Sequence, residues 1–130
     1  MIRSNLLIDN NTQIDLGGTA FVGKLHELRI WNTEVSRESS VANMNVSLVG
    51  NEDGLLGYWP MSEGNGTLAK DAARFKHITL DNVNWDIFPN TQSYVFDGTN
   101  YLSFTNASKS IFSSTMDGTI AFWMKSNSVG

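Results

Sequence analysis

Residues 21–31 read Phe21-Val22-Gly23-Lys24-Leu25-His26-Glu27-Leu28-Arg29-Ile30-Trp31. In an extended chain successive side chains point to opposite faces, so Leu25, Glu27, Arg29 and Trp31 are expected to share one face and His26, Leu28 and Ile30 the other. Apolar groups on both faces are the pattern of an inner strand covered on two sides. Outward from this stretch the chain keeps the same character. Short apolar runs bounded by Asn, Ser, Thr and Gly recur at fairly even intervals, and there are only two prolines. Further strands are expected over 6–8, 13–16, 55–61, 78–80, 84–87, 93–96, 101–104 and 119–125. Asp9-Asn10-Asn11 reads as the turn of a short hairpin, and Asp97-Gly98-Thr99-Asn100 as a tight turn between two later strands. Residues 32–50 break the pattern. Ser36 is placed to cap an N–H, and Val41, Met44 and Leu48 recur at helical spacing before Gly50, which predicts one short helix over 36–46. The fold class expected is all-β, an antiparallel β-sandwich with one short helix.

Composition narrows the function. At 130 residues, 41% hydrophobic and 11% aromatic, the chain can build one core, which argues against disorder. The net charge of −4 offers no basic field to release counterions from a phosphate backbone, so no nucleic-acid partner is expected. No run approaches the roughly 20 apolar residues of a membrane span, so no membrane insertion is expected. The longest candidate, residues 54–61, is broken by Gly57 and Pro60. The absence of cysteine removes disulfides, thiolate zinc sites and cysteine nucleophiles together. Met1-Ile2-Arg3-Ser4 does not open a basic and then apolar leader, so no signal peptide is visible.

The motifs that suggest chemistry fail on spacing or context. Gly18-Thr19-Ala20-Phe21-Val22-Gly23-Lys24 has phosphate-loop spacing, but Leu25 follows where Ser or Thr would ligate magnesium, and the glycines open a strand rather than a helix. His26-Glu27 begins like a zinc-protease helix, yet Ile30 stands where the second histidine belongs. With only His26 and His77 in the chain, no three-histidine centre can form within one molecule. A glycosidase needs two carboxyls across a cleft, and Glu27 has instead Leu25 and Arg29 as neighbours on its expected face. A cation beside a lone carboxylate stabilises the anion and works against general-acid duty. No catalytic residue is expected. Oxygen ligands for calcium are available on loops at Glu63, Asn65, Asp71, Asp97 and Asn100, without a regular ligand spacing. The competing reading is Asx side chains bonding their own turns. Trp31, Trp59, Trp85 and Trp123 all fall in expected strands, and Trp31, Trp59, Phe96, Phe122 and Trp123 are assigned to the core.

Four segments together carry a family resemblance. They are Gly23-Lys24-Leu25-His26-Glu27-Leu28-Arg29-Ile30-Trp31-Asn32; Gly54-Leu55-Leu56-Gly57-Tyr58-Trp59-Pro60-Met61-Ser62-Glu63-Gly64-Asn65-Gly66-Thr67 with Asp71; Tyr94-Val95-Phe96-Asp97-Gly98-Thr99-Asn100-Tyr101-Leu102; and Thr119-Ile120-Ala121-Phe122-Trp123-Met124-Lys125. In this order they resemble the laminin-G-like, concanavalin-A-like jelly-roll modules of large bacterial extracellular proteins. In that family the first segment and its helix close a module and the other three open one. The resemblance therefore implies that residues 1–48 are the end of one repeat and 49–130 the beginning of the next, packed together as a partial or permuted jelly roll. It also implies a non-catalytic role in adhesion or carbohydrate binding, outside the cell or on its surface, with a glycan or surface protein as partner. A structural calcium ion transfers loosely to Glu63, Asp71 and Asp97, and open strand edges imply self-association or pairing with neighbouring repeats. A glycoside hydrolase or lyase fragment on the same fold, or a purely structural spacer repeat, are the alternatives, because fold does not fix function.

Overall fold

The computed structural model describes residues 13–17, 21–73, 78–80, 83–87, 91–105 and 118–127. In chain order the elements are β1 (Gln13–Gly17), β2 (Val22–Trp31), α1 (Arg37–Asn43), β3 (Leu55–Trp59), β4 (Leu68–Ala69), β5 (Ile78–Thr79), β6 (Asn84–Ile87), β7 (Gln92–Asp97), β8 (Tyr101–Thr105) and β9 (Thr119–Ser126). The fold is mostly β and antiparallel, with one short helix. The expected strand at 6–8 and its turn lie outside the described residues. The two-residue β4 has too short a run to announce itself in the sequence.

Strand β2 organises the main sheet. On one edge β9 runs along almost its whole length, from Gly23 opposite Ser126 to Trp31 opposite Thr119. The other edge is shared. Residues Val22 to Leu25 pair with β7, and Leu28 to Trp31 pair with β3. Strand β6 adds beyond β7. Segments 1–48 and 49–130 are thus interleaved, since β2 takes partners only from the later part of the chain. Two smaller pairs, β1 with β8 and β4 with β5, are joined through a bridge between Leu80 and Leu102. The turn after β7 carries the chain from the main sheet into the β1–β8 pair. Its conformation is fixed locally: Gly98 takes φ +91°, and Asp97 Oδ1 accepts from the Thr99 N–H, the Thr99 hydroxyl and the Asn100 N–H. Buried Asn100 returns the contact, its Oδ1 accepting from the Asp97 N–H at 3.0 Å, and its amide donates to the Val95 carbonyl at 2.8 Å.

Side chains from all three sheets meet in one cluster that includes Leu25, Leu28, Ile30, Trp59, Tyr94, Phe96, Ala69, Ile78, Leu102 and Phe122. This corrects the alternation expected along β2, because Leu25 and Leu28, three residues apart, lie on the same side. The cause is a bulge. His26 faces Trp123 and Arg29 faces Ala121, so Glu27 and Leu28 together oppose the single residue Phe122. Glu27 takes φ 58°, the left-handed conformation that glycine usually supplies in a bulge. Beyond it the alternation resumes out of phase, leaving His26, Arg29 and Trp31 opposite the core. Strand β9 follows suit, with Ile120 and Phe122 in the cluster and Trp123 outside it. Trp59, Phe96 and Phe122 are core as expected, whereas Trp31 and Trp123 are half-buried on the opposite face.

The bulge sets up a test that runs against the usual order of substitutions. In a regular strand glycine is less stable than alanine, but at φ 58° alanine keeps the strain that glycine relieves. Both variants lose the same carboxylate. Glu27→Gly is therefore expected to be more stable than Glu27→Ala by about 1 kcal/mol in urea unfolding. The opposite order would place the extra residue elsewhere.

The helix also departs from expectation. It is shorter, capped by Ser36, whose hydroxyl accepts from the Ser39 N–H at 3.1 Å, and none of its residues is buried. Val41, assigned to an apolar stripe, is 57% exposed. Segment 32–48 is held by polar contacts instead. Arg29 donates to the Asn43 and Val46 carbonyls, the Trp123 indole N–H donates to the Met44 carbonyl at 2.7 Å, and the Thr119 hydroxyl donates to the Thr33 carbonyl at 2.8 Å. These donors stand on β2 and β9, so the sheet fixes the helix through its backbone.

Candidate functional site

The polar residues displaced by the bulge collect on the face away from the core. Arg29, 2% exposed, donates through Nη2 to Glu27 Oε2 at 2.7 Å, and its guanidinium lies 5.6 Å from the centre of the Tyr58 ring. Tyr58 is brought there by the β2–β3 register, which sets it opposite Arg29. Its hydroxyl donates to the Glu27 carboxylate, at 2.9 Å to Oε1 and 3.0 Å to Oε2. The strained Glu27 backbone is tied to the same place, its N–H donating to the Pro60 carbonyl at 3.1 Å. The next residue, Met61, is the other described non-glycine with positive φ, at 57°. Backbone strain in a folded chain persists only where surrounding contacts enforce it, and here both instances flank one cleft.

That cleft has a volume of about 530 Å³, within the range of small-molecule sites. Its lining includes His26, Glu27, Tyr58, Ser62, Thr91 and Trp123. His26 and Trp123 are cross-strand neighbours whose rings lie nearly parallel, 6.4 Å between centres and 11° between planes. Burial pushes the His26 imidazole below its ordinary pKa, with Glu27 acting in the opposite sense and Arg29 in the same one. A smaller pocket of about 340 Å³ opens between Arg29, Trp31 and the serines of α1. Arg29 lines the smaller pocket, and its carboxylate partner lines the larger.

Burial, then the charge of Glu27 and the hydrogen bond to it, push the Tyr58 phenol up to about 12. Above pH 10 the unfolded chain releases this proton before the folded chain does, so the folded state binds more protons and stability falls as pH rises towards 12. Urea melts from pH 9 upward are expected to show that decline in the native protein and a shallower one in Tyr58→Phe. Equal slopes would separate the phenol from Glu27.

Of the three carboxylates proposed for calcium, Glu63 and Asp71 stand on loops and Asp97 ends β7, and each accepts from backbone N–H groups. Glu63 Oε1 accepts from the Lys70 N–H at 2.9 Å. Asp71, 2% exposed, accepts through Oδ1 from the N–H groups of Tyr58 and Ala73, at 2.9 and 2.8 Å. Asp97, exposed, caps its own turn; hydrogen bonds from Thr99, side chain first, hold its carboxyl below the usual range. Among the described residues no three His, Cys, Asp or Glu side chains gather as a metal centre would. Asp71 has its place in folding through its bond to β3. The phosphate-loop-like glycine at 18 and the histidine at 77 lie outside the described residues.

No family model, curated protein or solved structure matches the chain.

The sequence pointed to Glu27 and Arg29 through their spacing, but not to Tyr58, His26 or Trp123 as their neighbours. The sequence assigns Trp123 to the core, whereas alternation within β9, with Phe122 on the core side, puts it on the opposite face. The cleft holds one carboxylate among its described lining residues, already joined to a cation and a phenol. It offers a carboxylate, an imidazole, hydroxyl groups and an aromatic face.

Proposed function

We propose that this chain is a non-catalytic carbohydrate-binding or adhesion module of a larger extracellular repeat protein, folded as a partial or permuted concanavalin-A-like jelly roll. The observation that carries the reading is the cleft beside the β2 bulge, where a half-buried indole, a carboxylate and several hydroxyls converge. Aromatic rings offer an apolar face to the C–H groups of a sugar while polar groups fix its hydroxyls, and such a mixture is usual in small-molecule sites. The resemblance of four segments in order to laminin-G-like modules supports the same reading. Hydrolysis on two carboxylates would need a partner for Glu27 within about 5–9.5 Å across the cleft, and the described lining supplies none.

A glycan array probed with the labelled full chain tests the proposal. Retention of one or more glycans, released by competing free sugar, is the expected result. An array without retained glycans, together with unchanged behaviour of the chain as a passive linker between flanking repeats, would favour the spacer role. The calcium proposal at Glu63, Asp71 and Asp97 is tested separately by melting the chain with calcium and with a chelator, a rise reversed by the chelator being the expected result. Sedimentation over a range of concentrations tests self-association through strand edges.

A further inference from the structure

We infer that the cleft between Glu27, Tyr58 and Trp123 takes an uncharged sugar ring and discriminates against acidic and amino sugars. This rests on the carbohydrate-binding reading and adds to it the place of the sugar and its charge.

The argument begins with the charges that face the cleft. Among its described lining residues Glu27 is the one formal charge, and His26 is held towards its neutral form by burial. Glu27 is already compensated by Arg29 at 2.7 Å. An anionic ligand would meet that carboxylate with no cation left to receive it. A cationic ligand would meet a carboxylate whose charge Arg29 already balances from a buried position anchored to the Asn43 and Val46 carbonyls, so little attraction is left to offset the loss of the ligand's own hydration. A neutral hydroxyl avoids both costs. An ionised carboxylate presents about four lone-pair sites, and Glu27 Oε1 has the Tyr58 hydroxyl as its donor while Oε2 also takes Arg29. Oε1 can accept a further hydroxyl.

Shape agrees with charge. The Trp123 indole has its N–H committed to the Met44 carbonyl at 2.7 Å, which fixes the plane of the ring and leaves its contact with a ligand apolar. His26, itself buried, lies parallel to it at 6.4 Å between ring centres and supports the indole from the neighbouring strand. Exposed Ser47, Ser62 and Thr91 stand among the lining residues with hydroxyls that both donate and accept. An apolar platform with a compensated acceptor and a rim of hydroxyls matches a pyranose, which carries C–H groups on its faces and hydroxyls around its edge.

The test is an amide and indole NMR titration of the full chain. The probes are the methyl glycosides of glucose, mannose, galactose and N-acetylglucosamine, with methyl glucuronide and methyl glucosaminide as charged counterparts. Expected is saturable movement of the Trp123 indole N–H and the Ser62 and Glu27 amides with at least one neutral glycoside, and binding of the matching charged sugar weaker by about tenfold or more. Ser62→Trp, which fills the cleft from an exposed position, is expected to remove that response while the rest of the spectrum stays in place. If that variant fails to fold, Ser47→Trp places the bulk at another exposed lining residue of the same cleft. A charged sugar binding as tightly as its neutral counterpart would overturn the inference, as would retention of binding in a folded cleft-filled variant. Sugar binding mapped to other residues would overturn it and leave the carbohydrate-binding reading standing. No response to any sugar, charged or neutral, would remove both.

Discussion

Trp59→Ala is expected to lower the free energy of unfolding by about 3–5 kcal/mol. Trp59 is 0% exposed, sits opposite Leu28 across the β2–β3 pair, and belongs to the cluster that joins all three sheets. The ring has a place prepared for it. A Cβ on Gly57 would come within 2.3 Å of the Trp59 ring atom Cη2, so the indole lies over the bare backbone of its own strand. Gly57→Ala therefore forces out the same ring that Trp59→Ala deletes. The two changes should not add: the double variant is expected to be less destabilised than the sum of the single ones, since the added methyl then enters space the indole has vacated. Urea unfolding followed by circular dichroism measures all three. A near-neutral Trp59→Ala would mean that the ring is in solvent and that the cluster is organised by other side chains.

Asp71→Ala is the second large effect, expected at about 3 kcal/mol, because a buried carboxylate that accepts from backbone is lost and its donors are left without it. Oδ1 accepts from the Tyr58 N–H in β3 and from the Ala73 N–H two residues on, so one carboxylate oxygen joins the strand to the turn after β4. The Ala72 N–H completes the junction by donating to the Tyr58 carbonyl at 2.8 Å. Asp71→Asn keeps an oxygen in the same place and is expected to cost less than half as much. For a chain of this size the alanine variant should melt lower by about 10–15 °C. Equal effects of the two substitutions would assign the loss to charge rather than to the acceptor.

Much of the β architecture was legible because it follows from local pattern. Strands β6, β7, β8 and β9 stand within a residue of the positions that their apolar runs and flanking turns predict. The turn at Asp97 was equally plain, since its aspartate, glycine and asparagine each meet a local demand of the backbone. Pairing was less legible, for the partners of β2 come from three distant places and no spacing in the chain encodes that choice. The helix misled for a different reason. An apolar stripe at Val41, Met44 and Leu48 suggests burial, yet Arg29 and Trp123 reach the carbonyls of that segment first, and Val41 is left in solvent. Asp71 shows the limit for polar residues. A carboxylate on a loop suggests a ligand for a cation, and nothing in the sequence signals that one of its oxygens also accepts from the β3 backbone.

The bulge at Glu27 fixes how insertions and deletions would read in β2. Removing that one residue would restore simple alternation and leave both halves of the strand facing as they do now, Leu25, Leu28 and Ile30 towards the centre and His26, Arg29 and Trp31 away from it. A chain lacking it could keep the polar and apolar letters downstream unchanged, and would lose the carboxylate that joins Arg29 to Tyr58. A one-residue gap at this place in a homologue therefore marks the same strand drawn straight, and calls for no compensating change in the letters that follow.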